Sequence, residues 1–406
     1  MSDISLPHDL AFHGDGGGTI IMLVMDGLGG LPHPDTGRTE LESAATPHLD
    51  ALAARSSLGM LAPVGHGITP GSGPGHLALF GYDPIESMIG RGVLSALGVG
   101  FELWPGDVAA RINLATVDGD GVVTDRRAGR PSDEDGRRVI ETVRNGLRAP
   151  EGVGVTLIHE KEHRAVLVLR GEGLGADVAD TDPQRTGLPP IPATAIGADP
   201  ASERMASTVQ SIVDQVRDIL ADEPRVNSFL ARGFAAFTPY PSFETRYGLR
   251  AVAVAKYPMY RGVASLVGMT IDGVPDSNEG SVEMLERHFG AYDFYFIHFK
   301  DTDSRAHDGD FEGKVAAIEE VDALLPRVTD LGADVLVVTG DHSTPALYGE
   351  HSWHHVPTLV ASNWTRPSAE VFGESSCRGG DLGVVPGKEL MTLALAHAVR
   401  LDKYGA

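Results

Sequence analysis

Two short segments almost forty residues apart carry the side chains best suited to chemistry: Asp303-Ser-Arg-Ala-His307 and Gly340-Asp341-His342-Ser343. Each follows an apolar run, residues 292–299 and 333–339, that reads as a buried strand. In an α/β sheet, residues just past the carboxyl ends of strands face the ligand crevice. Asp and His gathered there, with His351 downstream, make an N/O donor set suited to divalent transition metals. If the first segment is helical, Asp303 and His307 are four apart on one face and share one ion. Asp301 is the alternative acid for that place, and Asp303 is preferred. Asp341 and His342 are adjacent, so one reaches the ion while the other bridges or caps it. A lone Asp-His pair is usually a capped turn or a solvated surface. Six histidines between His298 and His355, interleaved with carboxylates, make coincidence the weaker account.

Asp26 closes a third apolar run, residues 19–25, and so shares the same sheet edge. Ser72 lies in a Gly/Pro-rich stretch, 63–75, read as a loop, with His76 four residues on. A serine hydroxyl is a useful nucleophile at neutral pH only where a base or metal stabilises its alkoxide, and a two-metal site would supply that.

The elements that must position these groups alternate between strand and helix, which implies a doubly wound parallel sheet with crossover helices. Thr46 and Pro47 read as the N-cap and first residue of one helix. Residues 201–221 and 311–328 read as two more, and 250–255 as a further strand. Between residues 104 and 185 the texture changes to short strands around a charged helix, 131–147, which predicts a smaller inserted α/β domain. The larger domain is then discontinuous, 1–103 and 186–406. The 406-residue chain has ample apolar content for such a core, 42%. Its formal net charge of -23 argues against nucleic-acid and anionic-membrane surfaces. An anionic substrate then requires metals and clustered arginines to reverse the local potential. Cys377 is the only cysteine, which excludes an intrachain disulfide and leaves little scope for thiolate ligation. Residues 1–18 lack the basic start and apolar stretch of a signal peptide, and no run reaches membrane-spanning length, so a cytoplasmic protein is expected.

Several motifs together resemble the alkaline phosphatase superfamily and, within it, cofactor-independent phosphoglycerate mutases of the archaeal type. They are Met25-Asp26-Gly27-Leu-Gly-Gly30, Pro70-Gly-Ser72-Gly-Pro-Gly-His76 with Phe80-Gly-Tyr-Asp-Pro84, Asp303-Ser-Arg-Ala-His307-Asp-Gly309 and Gly340-Asp-His-Ser-Thr-Pro345. Residues 101–111 and 125–130 add to the match. The resemblance implies an alkaline-phosphatase-like fold and interconversion of 3-phosphoglycerate and 2-phosphoglycerate without a bisphosphate cofactor, through a phosphoserine at Ser72. It implies one metal on Asp303, His307 and His351, and another on Asp26, Ser72, Asp341 and His342. Manganese is expected, with zinc or cobalt as alternatives. The competing reading is a phosphomonoesterase or another phosphomutase on the same two-metal core. Residues 351–357, His-Ser-Trp-His-His-Val-Pro, depart from the family's usual His-Ser-Gly-Asp-Pro-Val-Pro, which leaves His354 as a competitor to His351. For the small phosphorylated substrate, Arg127, Arg130, His163, Arg164, Lys256 and Arg261 are the candidate cations, since Arg binds carboxylate and phosphate bidentately. His163, Asp180 and Asp182 are candidate proton shuttles. Oligomeric state is not legible.

Overall fold

The computed structural model describes residues 9–12, 16–86 and 90–405, so most of the 1–18 segment lies outside the described residues. The chain divides into two compact units, Met1–Met88 with Pro241–Ala406, and Ile89–Tyr240.

The first unit is built on an eight-stranded sheet. Its strand order is Gly383–Pro386, Ser57–Ala62, Val356–Ser362, Val335–Thr339, Ile20–Met25, Phe294–Phe299, Ala251–Ala255 and Thr270–Ile271. The central strands Ile20–Met25, Phe294–Phe299, Ala251–Ala255 and Val335–Thr339 are buried at every residue, as parallel strands covered by helices must be. Only Val356–Ser362 runs against the rest. Ile20–Met25 lies between Phe294–Phe299 and Val335–Thr339 in parallel register. The turns after these three strands therefore meet at one edge. Among the described residues no helix is long and apolar enough to cross a membrane.

Two local expectations change. Thr46 precedes the helix Pro47–Ala53 but makes no side-chain cap. Ser72 is not in a loop: it opens the helix Ser72–Leu79, with Gly71 as N-cap. Pro74 is tolerated because the first turn needs no intrahelical donor there. Gly75 is required by space, since a Cβ would sit 2.5 Å from the Asp341 carbonyl oxygen.

The second unit is a five-stranded sheet in which Val108–Val117 pairs antiparallel with Val123–Asp125, Arg164–Arg170 and Ser228–Ala236, and Gly154–Lys161 flanks Arg164–Arg170. It is larger than residues 104–185. The chain returns after that stretch: helix Pro200–Ile219 gives Met205, Val209, Ile212 and Val216 to this unit's core, and Ser228–Ala236 completes its sheet. An amphipathic helix does not announce which core its apolar face will join, so the insertion ends later than its composition suggests.

Candidate active site and metal centre

Asp26 follows Ile20–Met25, Asp303 lies on the helix Asp301–His307 beyond Phe294–Phe299, and Asp341 and His342 follow Val335–Thr339. Strand adjacency makes these acids converge, and all are buried. Because Val356–Ser362 is antiparallel, it starts at this same edge and carries His351 there. Ser72 arrives from the chain leaving Ser57–Ala62. Gly27, with φ +62°, permits the closeness: a Cβ there would lie 2.6 Å from Thr344 Oγ1 and 2.9 Å from Asp303 Oδ1.

Around His342 Nε2 stand Ser72 Oγ at 3.2 Å, Asp26 Oδ1 at 3.3 Å and Asp341 Oδ2 at 3.2 Å. Around Asp303 Oδ1 stand His307 Nε2 at 3.5 Å and His351 Nε2 at 3.8 Å. Donors bound to one ion at about 2.0–2.2 Å are separated by roughly 3.0–3.5 Å, so the first cluster already has the spacing of a coordination shell. Among the described residues, two three-residue groups have donor atoms close enough for one ion, Asp303 with His307 and His351, and Asp26 with Asp303 and His342. Asp303 is thus common to both, where the sequence assigned it to one. Asp26 Oδ1 is buried and accepts no hydrogen bond. Burying carboxylate oxygens without donors is costly, and a divalent cation is the partner this geometry fits.

The imidazoles are set in the form that binds metal. His307 Nδ1 donates to the Gly349 carbonyl at 2.9 Å, and His351 Nδ1 to the Pro70 carbonyl at 2.9 Å. A carbonyl only accepts, so in each neutral ring Nε2 keeps its lone pair toward Asp303. His342 Nδ1 lies 2.9 Å from Thr344 Oγ1, whose hydroxyl donates to Asp303 Oδ1 at 2.8 Å. That chain makes Nδ1 the donor in His342 as well. Burial lowers the His342 pKa and keeps its ring neutral. His354 is placed differently: it stacks on Trp353 and its Nδ1 meets Ser352 Oγ at 3.1 Å.

A second layer escaped the sequence reading. His298 Nε2 is 3.2 Å from Asp26 Oδ2, and its ring stacks on Tyr260 at 3.8 Å. His76 Nδ1 is 2.8 Å from the Ser72 carbonyl oxygen and 3.2 Å from Asp341 Oδ2. Burial opposes charge on His76, but Asp341 outweighs it and raises the pKa. Burial likewise works against an ionised Asp26, yet Lys300, 3.0 Å from Asp26 Oδ2 and paired also to Asp303, holds Asp26 well below the usual carboxylate range. Lys314 is fully buried and donates to the carbonyls of Gly27, Gly29 and Thr344, which clamps the turns bearing Asp26 and His342. It sits on the helix Phe311–Thr329, and a single lysine on an amphipathic helix gives no hint of such a role.

The second unit holds a cationic cavity of about 190 Å³ lined by Arg91, Arg111, Asn113, Arg126, Arg127, His163, Arg164 and Arg232. Arg111 faces Arg232 across one strand pair, and Asn113 faces Arg164 across another. Like charges directly opposite destabilise a sheet, and Glu160, 3.6 Å from Arg111, and Asp182, 3.5 Å from Arg232, offset part of that cost. Of the sequence candidates, Arg127, His163 and Arg164 line it, and Arg130 adds to the positive field at His163. Lys256 and Arg261 belong to the first unit: Lys256 lies 3.9 Å from Asp301, and Arg261 Nη1 donates to the carbonyls of Ala255 and Lys256. Arg91, Arg111, Arg126 and Arg232 were missed, although Arg111 and Asn113 alternate visibly on one strand face. Asp180 accepts from the Gly233 amide at 2.7 Å. Burial pushes Asp182 up, but its bidentate Arg126 partner prevails and lowers it, so it suits ion pairing rather than proton shuttling.

Burial and then Arg164, Arg127, Arg111 and Arg130 push the His163 pKa down to about 4. A histidine in the unfolded chain takes its proton at about 6.5, so between those values the unfolded state binds more protons. The stability tied to this neutral ring is therefore complete above about pH 6.5 and lost as pH falls toward 4. Labelled-histidine NMR, with His163→Gln for assignment, is expected to show this ring neutral at pH 5. A midpoint near 6.5 would contradict the cationic environment.

A family model described as 2,3-bisphosphoglycerate-independent phosphoglycerate mutase matches residues 53–227. A Thermus thermophilus protein named "Probable 2,3-bisphosphoglycerate-independent phosphoglycerate mutase" is 51% identical over 391 residues, 95% of this chain and 96% of its own. A Deinococcus radiodurans protein of the same name is 49% identical over 394 residues, with the same coverage. Among solved structures, the PH0037 protein from Pyrococcus horikoshii matches with a TM-score of 0.79 at 28% identity, covering 96% of this chain and 100% of its own. The cofactor-independent phosphoglycerate mutase from Thermoplasma acidophilum matches with a TM-score of 0.71 at 29% identity, covering 94% and 100%.

Proposed function

The chain belongs to the 2,3-bisphosphoglycerate-independent phosphoglycerate mutase family, and we propose that it interconverts 3-phosphoglycerate and 2-phosphoglycerate by way of a phosphoserine at Ser72. The observation that carries this reading is the placement of Ser72 Oγ, 3.2 Å from His342 Nε2 and at the start of a helix, beside two groups able to hold metal. Asp303, His307 and His351 hold one divalent ion, and Asp26, His342, Asp341 and Ser72 hold the other, with Asp303 within reach of both. Bound ions supply Lewis-acid stabilisation of the serine alkoxide and of charge on the phosphoryl oxygens. The N/O donors suit manganese, with zinc or cobalt as alternatives.

Ser72 Oγ attacks phosphorus, the bond from phosphorus to the glycerate oxygen breaks, and that oxygen takes a proton. The other glycerate hydroxyl then gives up its proton and attacks the phosphoserine, which returns Ser72 to its starting state. The start of the helix Ser72–Leu79 favours the negative phosphoryl group. His76 and His298 orient the Asp341 and Asp26 carboxylates. The cationic cavity of the second unit is suited to anionic groups, in a protein whose overall net charge is -23. Water has to be kept from the phosphoserine, since hydrolysis would turn the mutase into a phosphatase. This reaction belongs to glycolysis and gluconeogenesis, and the reading places the protein in the cytoplasm.

The test is an enolase-coupled assay on 3-phosphoglycerate. Turnover is expected, lost on chelation and restored by Mn²⁺. Absence of turnover in metal-loaded protein that releases phosphate from the same substrate would favour a phosphatase. Arg164→Ala is expected to raise the inorganic phosphate released per mutase turnover, because the glycerate is held less securely. An unchanged ratio there and in Arg127→Ala would remove the cationic cavity from substrate binding.

A further inference from the structure

Two histidines outside this centre meet across the segments that deliver its nucleophile and one of its imidazoles. His66 lies between the strand Ser57–Ala62 and the helix Ser72–Leu79, and His355 immediately precedes Val356–Ser362. Their Nδ1 and Nε2 atoms are 3.0 Å apart and the rings cross at 67°, although 289 residues separate them in the chain. His66 is exposed and His355 half-buried. The mechanism uses neither. Burial, with the neighbouring His66 and His354 rings, lowers the His355 pKa and so favours the neutral, metal-binding imidazole.

Two imidazole nitrogens on one tetrahedral ion, each at about 2.0–2.1 Å, stand roughly 3.3 Å apart. The observed 3.0 Å is the separation of a shared proton and needs only a few tenths of an ångström to admit an ion. Solvent at His66 leaves the remaining coordination positions to water. The chemistry differs from the acid-rich centre: two neutral nitrogens favour ions toward the copper and zinc end of the first-row series over hard ones such as Mg²⁺.

We propose that His66 and His355 form a separate two-imidazole site for a divalent transition ion of the Zn²⁺ or Cu²⁺ kind. The segments are already joined nearby, where His351 Nδ1 donates to the Pro70 carbonyl. An ion on His66 and His355 adds a second tie between the segment leading to Ser72 and the segment carrying His351.

The experiment dialyses Mn²⁺-loaded wild-type protein against micromolar Zn²⁺ and counts bound zinc by mass spectrometry, beside His66→Gln and His355→Gln. Wild type is expected to bind one zinc per chain more than either variant, because a single remaining imidazole does not hold the ion. The rise in Tm that Zn²⁺ gives wild type should shrink in both variants. His66 is exposed, so His66→Gln decides the matter even if His355→Gln misfolds. Equal zinc counts and equal Zn²⁺-induced shifts in wild type and His66→Gln would overturn the proposal and leave the pair as a plain hydrogen bond. The count does not depend on turnover, so its failure is separable from failure of the mutase reading.

Discussion

Ser72→Ala is expected to abolish mutase turnover while leaving the fold and both metals nearly in place. Removing the nucleophile of a covalent mechanism costs on the order of 10⁶-fold in turnover. The structural cost should be small, because Ser72 is only partly buried and its helix is capped by Gly71 rather than by its own hydroxyl. Its hydroxyl meets His342 Nε2, which keeps Asp26 and Asp341 as neighbours when the oxygen is gone. The enolase-coupled assay with metal analysis of the same sample checks both halves. Substantial turnover in Ser72→Ala would end the covalent reading. Loss of activity together with metal would mean that the serine holds an ion more than it attacks phosphorus.

Asp303→Ala is expected to be as severe by another route. Asp303 belongs to both groups able to hold an ion, accepts from Thr344 and pairs with Lys300. Its removal breaks one shell, strips a donor from the other and leaves Lys300 facing Asp26 alone. Metal content should fall at both sites, with turnover down by more than the roughly 10–100-fold that loss of a supporting partner costs. His351→Ala, by contrast, should empty mainly the site it shares with His307. Metal analysis distinguishes the cases, and full occupancy of either site in Asp303→Ala would show that the acid is not shared.

The strand ends are legible in the sequence because buried parallel strands read as unbroken apolar runs. Asp26 follows its run directly, Asp341 two residues on and Asp303 four residues on, and the structure brings them together by placing Ile20–Met25 between the other two strands. Helicity at Asp303–His307 is only a condition in the sequence, and the helix Asp301–His307 meets it. Composition singles out Ser72 but points to a loop, since Gly and Pro suppress helix propensity while a short first turn tolerates both. Lys314 and His298 are invisible because their contacts with Gly27 and Asp26 cross more than two hundred residues of chain. The cationic face is half visible: Arg127, His163 and Arg164 come from segments with an evident charge cluster, whereas Arg111 and Arg232 become neighbours only through strand pairing. The extent of the second unit is hidden for the same reason, because Ser228–Ala236 returns to pair with Val108–Val117 after more than a hundred residues.

In the proposed mechanism the phosphoryl group passes through Ser72 and returns to the same glycerate. The most direct measurement is an acid quench of Mn²⁺-loaded enzyme turning over phosphorus-labelled 3-phosphoglycerate, followed by peptide mass spectrometry. Label is expected on the Ser72 peptide at substoichiometric level, absent in Ser72→Ala, while 2-phosphoglycerate accumulates with little inorganic phosphate. Formation of 2-phosphoglycerate at full rate with no label ever found on Ser72 would contradict it.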